Sequence, residues 1–227
     1  MQKKIRIAID GPAASGKSTT ARLLSKKLGY LYIDTGAMYR AATLAVLRAG
    51  IDVHDEQAVE RCVRENKITL RIKNGEQRTY LNDEDVSDLI RTPEINNVIS
   101  IISSYSKVRQ ILIEQQRALA KEGGIVMDGR DIGTVVLPDA ELKVFLVAGL
   151  EERARRRQKD LEKQGIRLSL EEIKDEIARR DKLDSERDMS PLRKAPDARE
   201  LDTTNLTIEQ QVEIIYNWAQ EILKARE

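Results

Sequence analysis

Gly11-Pro12-Ala13-Ala14-Ser15-Gly16-Lys17-Ser18 fits G-x-x-x-x-G-K-[ST] with every fixed position filled. The chemistry of that spacing is phosphate binding. Its glycines let backbone N–H groups converge on phosphate oxygens, and a helix starting at the loop's end adds partial positive charge there. Lys17 then reaches the β- and γ-phosphates of a nucleoside triphosphate, and the Ser18 hydroxyl reaches Mg²⁺. The flanks agree with this reading. Ile5-Arg6-Ile7-Ala8-Ile9 reads as a short buried strand, and Ser18 to Leu28 reads as an amphipathic helix ended by Gly29.

Four further groups carry charge at informative places. Asp128-Gly129-Arg130-Asp131 follows the apolar run Ile125-Val126-Met127. Asp128 stands where an acid beside the phosphate loop would hold Mg²⁺ directly or through water. Arg130 and Asp131 either point a guanidinium and a carboxylate into one pocket or form a structural ion pair. Asp34-Thr35-Gly36-Ala37-Met38-Tyr39-Arg40 ends another strand and opens a helix. Asp34 or Thr35 would cap that helix, and a second substrate would lie at this end of the strand. Arg153, Arg155, Arg156 and Arg157 form a cluster after the run Leu142 to Val147, with Arg153, Arg156 and Arg157 on one helix face. Such arginines either supply charge to a transferred phosphoryl group or form a solvated face. Arg180, Asp184 and Arg187 repeat the Arg/Asp theme, and a plain i,i+4 pair of Arg180 with Asp184 is the competing reading. No motif for a catalytic base is present, such as H-R-D with its following asparagine. A phosphate oxygen is already deprotonated and needs only positioning, so the pattern suits a phosphate acceptor better than an alcohol.

The elements that must hold these groups follow from the apolar pattern. Strands are expected at Ile5–Ile9, Leu31–Ile33, Ile125–Met127, Leu142–Val147 and, more weakly, near Glu200–Leu201. Helices are expected over Ala37–Ala49 and Lys107–Glu122, and from the capping box Thr207-Ile208-Glu209-Gln210 to about Lys224. The alternation argues for an α/β fold: a five-stranded parallel sheet covered by helices on both faces, with ligands at the strands' carboxyl ends. Two segments break the rhythm. Ile68–Lys73 and Arg78–Asn82 alternate apolar and polar around Asn74-Gly75, which signals a small antiparallel insertion. Glu151–Arg187 has 23 charged residues among 37, too few apolar ones to anchor it firmly, and reads as a mobile helical lid of two helices about Gly165. The chain then reads as one domain, residues 1–227. Its core is 1–62, 92–148 and 188–227, its insertion about 63–91, and its lid with the following helix about 149–187.

Composition narrows the class. The 39 basic and 38 acidic side chains nearly cancel and only eight residues are aromatic, which opposes a nucleic-acid or anionic-membrane partner. Cys62 is the only cysteine and His54 the only histidine, so neither a disulfide nor a His/Cys metal cluster can form within the chain. His54 falls in the polar stretch Asp52–Glu56, which reads as a surface turn. Met-Gln-Lys-Lys is no signal peptide and no apolar run reaches membrane-spanning length, so a cytoplasmic protein is expected. Nothing marks an interface, and a monomer is the default.

G-P-A-A-S-G-K-S-T, D-T-G-A-M-Y-R, D-G-R-D-I-G-T and R-R-D-x-x-D-S-E-R, in this order and spacing, closely resemble the bacterial-type cytidylate kinases. The resemblance spans nearly the whole chain. It implies a P-loop kinase core with a nucleoside monophosphate-binding insert and a lid. The implied reaction is MgATP with CMP or dCMP giving ADP with CDP or dCDP, in pyrimidine nucleotide metabolism. Gly11, Pro12, Ala13, Ala14, Ser15, Gly16, Lys17, Ser18 and Thr19 would bind ATP phosphates. Ser18 and Asp128 would hold the metal. Lys17, Asp128 and Arg130 would serve the transfer, with lid arginines such as Arg153 and Arg157. Thr35 lies where the family often has serine. Tyr39 and Arg40 would flank the acceptor, with Arg40 and Arg130 on its phosphate. Ser100, Arg109, Asp131 and Arg187 match cytosine-recognising positions, and Arg180 and Asp184 match positions near the acceptor phosphate and ribose. A carboxylate such as Asp131 accepts from the cytosine N4 amine, which uracil lacks. The rivals are a P-loop kinase of another small metabolite, such as shikimate, and a nucleotide-dependent ATPase switch. The second would need a water-positioning residue and base motifs such as N-K-x-D, which are absent.

Overall fold

A computed structural model describes residues 4–73, 76–163 and 165–226. The chain divides into two compact units, residues 1–32 with 123–227, and residues 33–122. Eight strands and eight α-helices are found among the described residues.

In the first unit the parallel sheet has the order β2-β6-β1-β7-β8, with helices on both sides. These strands are β1 (Arg6–Asp10), β2 (Leu31–Asp34), β6 (Ile125–Gly129), β7 (Leu142–Val147) and β8 (Arg199–Asp202). β2 runs from the first unit into the second. β1 is central, with Ile7 opposite Val126 on one side and Leu142 on the other. A strand hydrogen-bonded on both edges and covered on both faces is apolar through its middle, as Ile7-Ala8-Ile9 of β1 is, rather than alternating. Helices α1 (Lys17–Leu28) and α8 (Ile208–Lys224) pack on the sheet through Ala21, Leu24, Val212, Ile215 and Ala219. α1 ends at Gly29 in the left-handed region, φ 66°, where the following Tyr30 N–H donates back to Ser25 O at 2.8 Å. The capping box at Thr207 and Gln210 opens α8 as expected. Trp218, half-buried, packs with the same cluster. Helices α6 (Leu150–Lys163) and α7 (Leu170–Glu186) join around a small apolar cluster of their own, Ala154, Leu161, Ile173 and Ile177. α7 opens with a capping box at Ser169 and Glu172.

The second unit holds α2 (Thr35–Arg48), α3 (Glu56–Glu65), an antiparallel sheet, α4 (Pro93–Ile102) and α5 (Ser106–Ala120). Asp34 caps α2, accepting from Ala37 N at 2.9 Å. In the sheet β3 (Ile68–Lys73) pairs with β4 (Glu76–Leu81), with Ile68 opposite Leu81. β4 starts two residues earlier than the alternation indicates, and a two-residue β5 (Glu84–Asp85) adds a third strand. The expected turn at Asn74-Gly75 lies outside the described residues. α4 was not expected, because its Ile, Val and Asn residues are weak helix formers. Thr92 caps it, Pro93 supplies the first turn, and Ile95, Ile99 and Ile102 bury one face. Cys62, on α3, lies buried in the same core as Met38, Val46 and Leu112.

The turn from β1 into the glycine loop leaves no room for a side chain. A Cβ on Gly11 would stand 2.4 Å from the backbone oxygen of Leu146, on β7. Gly11→Ala should therefore cost about 1–3 kcal/mol, lowering the thermal midpoint by ~2–4 °C for each kcal/mol in a chain of this size. Differential scanning calorimetry of the two proteins checks this, and an unchanged midpoint would show that the loop relaxes freely.

Candidate active site

The site is built from the carboxyl ends of β1, β6 and β7 in the first unit. After β1 the chain turns through Ala14 (φ 57°) and Gly16 (φ 90°) and enters α1 at Lys17. Lys17 is buried, and its Nζ donates to Pro12 O at 2.9 Å. Burial, with the Arg130 guanidinium nearby, pushes its ammonium down to about 7. Ser18 Oγ donates to Asp128 Oδ2 at 2.7 Å, joining the loop to the end of β6. The Tyr32 hydroxyl donates to the other oxygen of Asp128 at 2.8 Å.

Arg130 and Asp131 do not pair with each other. Arg130 Nε donates to Asp184 Oδ2 at 2.7 Å, and Arg187 Nη2 lies 3.7 Å from Asp131 Oδ1. α7 thus brings Asp184 to Arg130, and Arg187 follows its last residue. Arg180 stands one turn before Asp184, yet its Nε is buried without a hydrogen-bond partner. Burial and the charge of Arg130 push its guanidinium down to about 10, and Arg157 adds to the same positive potential. The simple i,i+4 hydrogen bond of Arg180 to Asp184 is not the arrangement found, since Asp184 accepts from Arg130 instead.

The arginines of α6 take separate places. Arg153 is buried. Its guanidinium donates to Ala13 O at 3.1 Å, Ala148 O at 3.0 Å and Asp181 Oδ2 at 2.5 Å. Arg156 donates to Thr203 O at 2.5 Å and reaches Ser15 O at 3.4 Å. Both therefore hold carbonyls of the glycine loop. Arg155 pairs with Glu151 on the exposed side.

In the second unit, Thr35 is buried at the start of α2, with Tyr39 one turn on. Arg40 donates to Asn96 Oδ1 of α4, and Ser100 lies half-buried on the same helix. Arg109 is 2% exposed, donates to Ser103 O at 3.2 Å, and has its guanidinium 5.5 Å from the Tyr39 ring centroid. Tyr39, Arg40, Ser100 and Arg109 thus sit on three helices of one unit. His54 is exposed in a turn, as its sequence context suggests.

The family model for cytidylate kinase matches residues 7–221. The chain belongs to the cytidylate kinase family. It is 53% identical over 215 residues to a cytidylate kinase of Geobacillus kaustophilus strain HTA426, covering 95% of this chain and 96% of that one. It has the same identity and coverage to a cytidylate kinase of Bacillus thuringiensis strain Al Hakam. Among solved structures, a gluconokinase of Sinorhizobium meliloti aligns over 99% of this chain and 97% of its own, with TM-score 0.52 and 11% identity, a likeness of fold.

Four residues bonded to these groups were given no role by sequence reasoning: Asp10, Tyr32, Thr203 and, although it stands in a quoted motif, Asp181. Thr203 Oγ1 lies 3.1 Å from Ser15 O and accepts from Arg156. Asp10 had a readable signal, an acid following the apolar run Ile7-Ala8-Ile9. It is buried and accepts from Ile132 N and Gly133 N.

Burial pushes the Asp10 carboxyl up to about 7, against those two N–H bonds, which favour its ionised form. A carboxyl whose pKa rises on folding binds its proton more tightly in the folded chain. Its contribution to stability therefore falls as pH climbs from about 4 to about 7, and levels off above. Asp10→Asn removes this titration. The thermal midpoint of the wild type, measured against that variant, should decline between about pH 5 and about pH 7. A difference constant across that window would contradict an ionisable group in a dry setting.

Proposed function

We propose that this chain transfers the γ-phosphate of ATP to CMP or dCMP, giving ADP with CDP or dCDP. The observation that carries the reading is the placing of Lys17, at the end of the glycine loop, among the guanidinium groups of Arg130 and Arg180. Lys17 and Arg180 are both pushed down, with burial and the charge of Arg130 as the leading causes. Cations kept out of water at one another's expense are stabilised when phosphate oxygens arrive among them. Backbone N–H groups of Gly11 to Thr19 would take the ATP phosphates, with Lys17 on the β- and γ-phosphates.

The donor set fits Mg²⁺. Ser18 Oγ and the Asp128 carboxylate lie within hydrogen-bond distance and are hard oxygen ligands. When bound there, the ion would neutralise charge on the phosphates. Lys17 and Arg130 act where charge develops on the transferred group, and Arg153 and Arg157 are the α6 candidates for closing around it. Arg153 is also the residue that fixes Ala13. No general base is required, because the attacking oxygen of CMP belongs to a phosphate.

For the acceptor, we assign its phosphate to Arg40 and Arg130, with Arg180 and Asp184 near phosphate and ribose and Thr35 and Tyr39 beside the nucleotide. Ser100, Arg109, Asp131 and Arg187 would recognise cytosine. Asp131 would accept from the N4 amine, and the Arg187 guanidinium holds that carboxylate in place. The segment 149–187 is proposed as the lid and about 63–91 as the monophosphate-binding insertion. A monomer in the cytoplasm, binding neither nucleic acid nor membrane, completes the proposal. Among the described residues no helix is long and apolar enough to cross a membrane.

A coupled ADP-release assay with MgATP and CMP, dCMP, UMP, AMP, GMP, dTMP, shikimate or no acceptor tests the reaction. Turnover should be strongest with CMP and dCMP, and strongest turnover with another acceptor would void the assignment of Asp131. Asp131→Asn should lower the CMP-to-UMP ratio of kcat/KM by about tenfold or more, since a buried group left unpaired discriminates strongly. Lys17→Ala should cut kcat by roughly 10²–10³-fold while circular dichroism shows the fold retained. Near-normal turnover in Lys17→Ala would remove the glycine loop from the reaction.

A further inference from the structure

Asp10 is the last residue of β1, and Gly11 of the phosphate loop follows it directly. Its side chain does not serve that loop. Oδ1 accepts from Ile132 N at 2.8 Å and Oδ2 accepts from Gly133 N at 2.7 Å. These two N–H groups open the wide helical turn Ile132–Val136. The first donors of a helical turn have no partner within it, so an outside acceptor must satisfy them. The far end of the turn closes back on Asp131, whose carbonyl accepts from Val135 N at 2.9 Å and Val136 N at 3.1 Å. The backbone of Asp131 is thus held by its own turn, and that turn by Asp10.

Gly133 shows how closely the parts fit. A Cβ there would stand 3.2 Å from Lys143 Cδ and 3.4 Å from Asp10 Oδ2. Asp10 is 4% exposed and Gly133 is buried, so no water competes for the two bonds. Above about pH 7, where it is ionised, the carboxylate is acceptor-only at both oxygens and satisfies both donors. An asparagine amide would turn NH₂ toward one of the N–H groups and leave that donor orphaned in a dry setting.

We infer that Asp10 is a positioning residue for reading the acceptor base: by holding Ile132 and Gly133 it fixes the aim of Arg130 and Asp131. This rests on the assignment of Asp131 to cytosine made above. It also places one side chain between the start of the donor loop and the loop that reads the acceptor.

Steady-state kinetics of the full chain test it, with wild type, Asp10→Asn, Gly133→Ala and Asp131→Asn, each against CMP and UMP. Asp10→Asn should raise KM for CMP and lower the CMP-to-UMP ratio of kcat/KM, each by about tenfold, while KM for ATP stays within about twofold. A residue with only a structural role would lower the thermal midpoint and leave these ratios alone. A collapsed ratio in Asp131→Asn beside an unchanged ratio in Asp10→Asn overturns this inference and leaves the base-reading assignment standing. An unchanged ratio in Asp131→Asn overturns both. If Asp10→Asn fails to fold, Gly133→Ala decides: its methyl group crowds the turn between Lys143 and Asp10 Oδ2 and should erode the same preference, and an unchanged preference there refutes the inference.

Discussion

Lys17 and Arg153 are cations held out of water, and the loop from Gly11 to Ser18 depends on how they are held. Each is bonded to a backbone carbonyl of that loop, Lys17 to Pro12 and Arg153 to Ala13, while Arg156 and Thr203 reach Ser15 O. Carbonyls engaged in this way cannot compete for the loop's own N–H groups, and of those the Ala13 N–H faces Asp181 Oδ1 at 3.4 Å. The cost is desolvated charge, seen in the depressed ammonium of Lys17. The loop is thus held in shape by contacts to its carbonyls, as the proposed phosphate binding requires.

The parallel sheet makes such an arrangement possible. Strands β1, β6 and β7 end side by side, so three chain segments far apart in sequence deliver their charged residues to one edge. α6 then carries Arg153 back to the loop, and α7 carries Asp181 to Arg153 and Asp184 to Arg130. The two helices share only a small apolar cluster. Their attachment to the loop joins the packing of Ala14 on that cluster to the ion pair and carbonyl bonds of Arg153, and ionic attachments respond to the arrival of charged ligands more readily than apolar ones.

Much of this was legible in the chain. Buried parallel strands announce themselves as apolar runs, and the glycine loop, Asp128 and the capping boxes have fixed spacings. The strand limits agree to within a residue or two, and the fold class is the one found. Partners were not legible. Nothing in the spacing says that Asp184 accepts from Arg130 rather than from Arg180, since that choice depends on where α7 lies. α4 was hidden because Asn96, Asn97, Val98 and several isoleucines disfavour a helix until Thr92, Pro93 and core burial impose one. Asp10 was passed over because it ends an apolar strand without matching any motif, although an acid in that position has to find donors.

The lone tryptophan and the lone cysteine fall in different units: Trp218 on α8 in the first, Cys62 in the core of the second. Indole emission therefore reports on the unit that carries the glycine loop, and thiol accessibility reports on the other. With no residue changed and only a thiol reagent added, the order in which the two units unfold can be read from one experiment with two clocks.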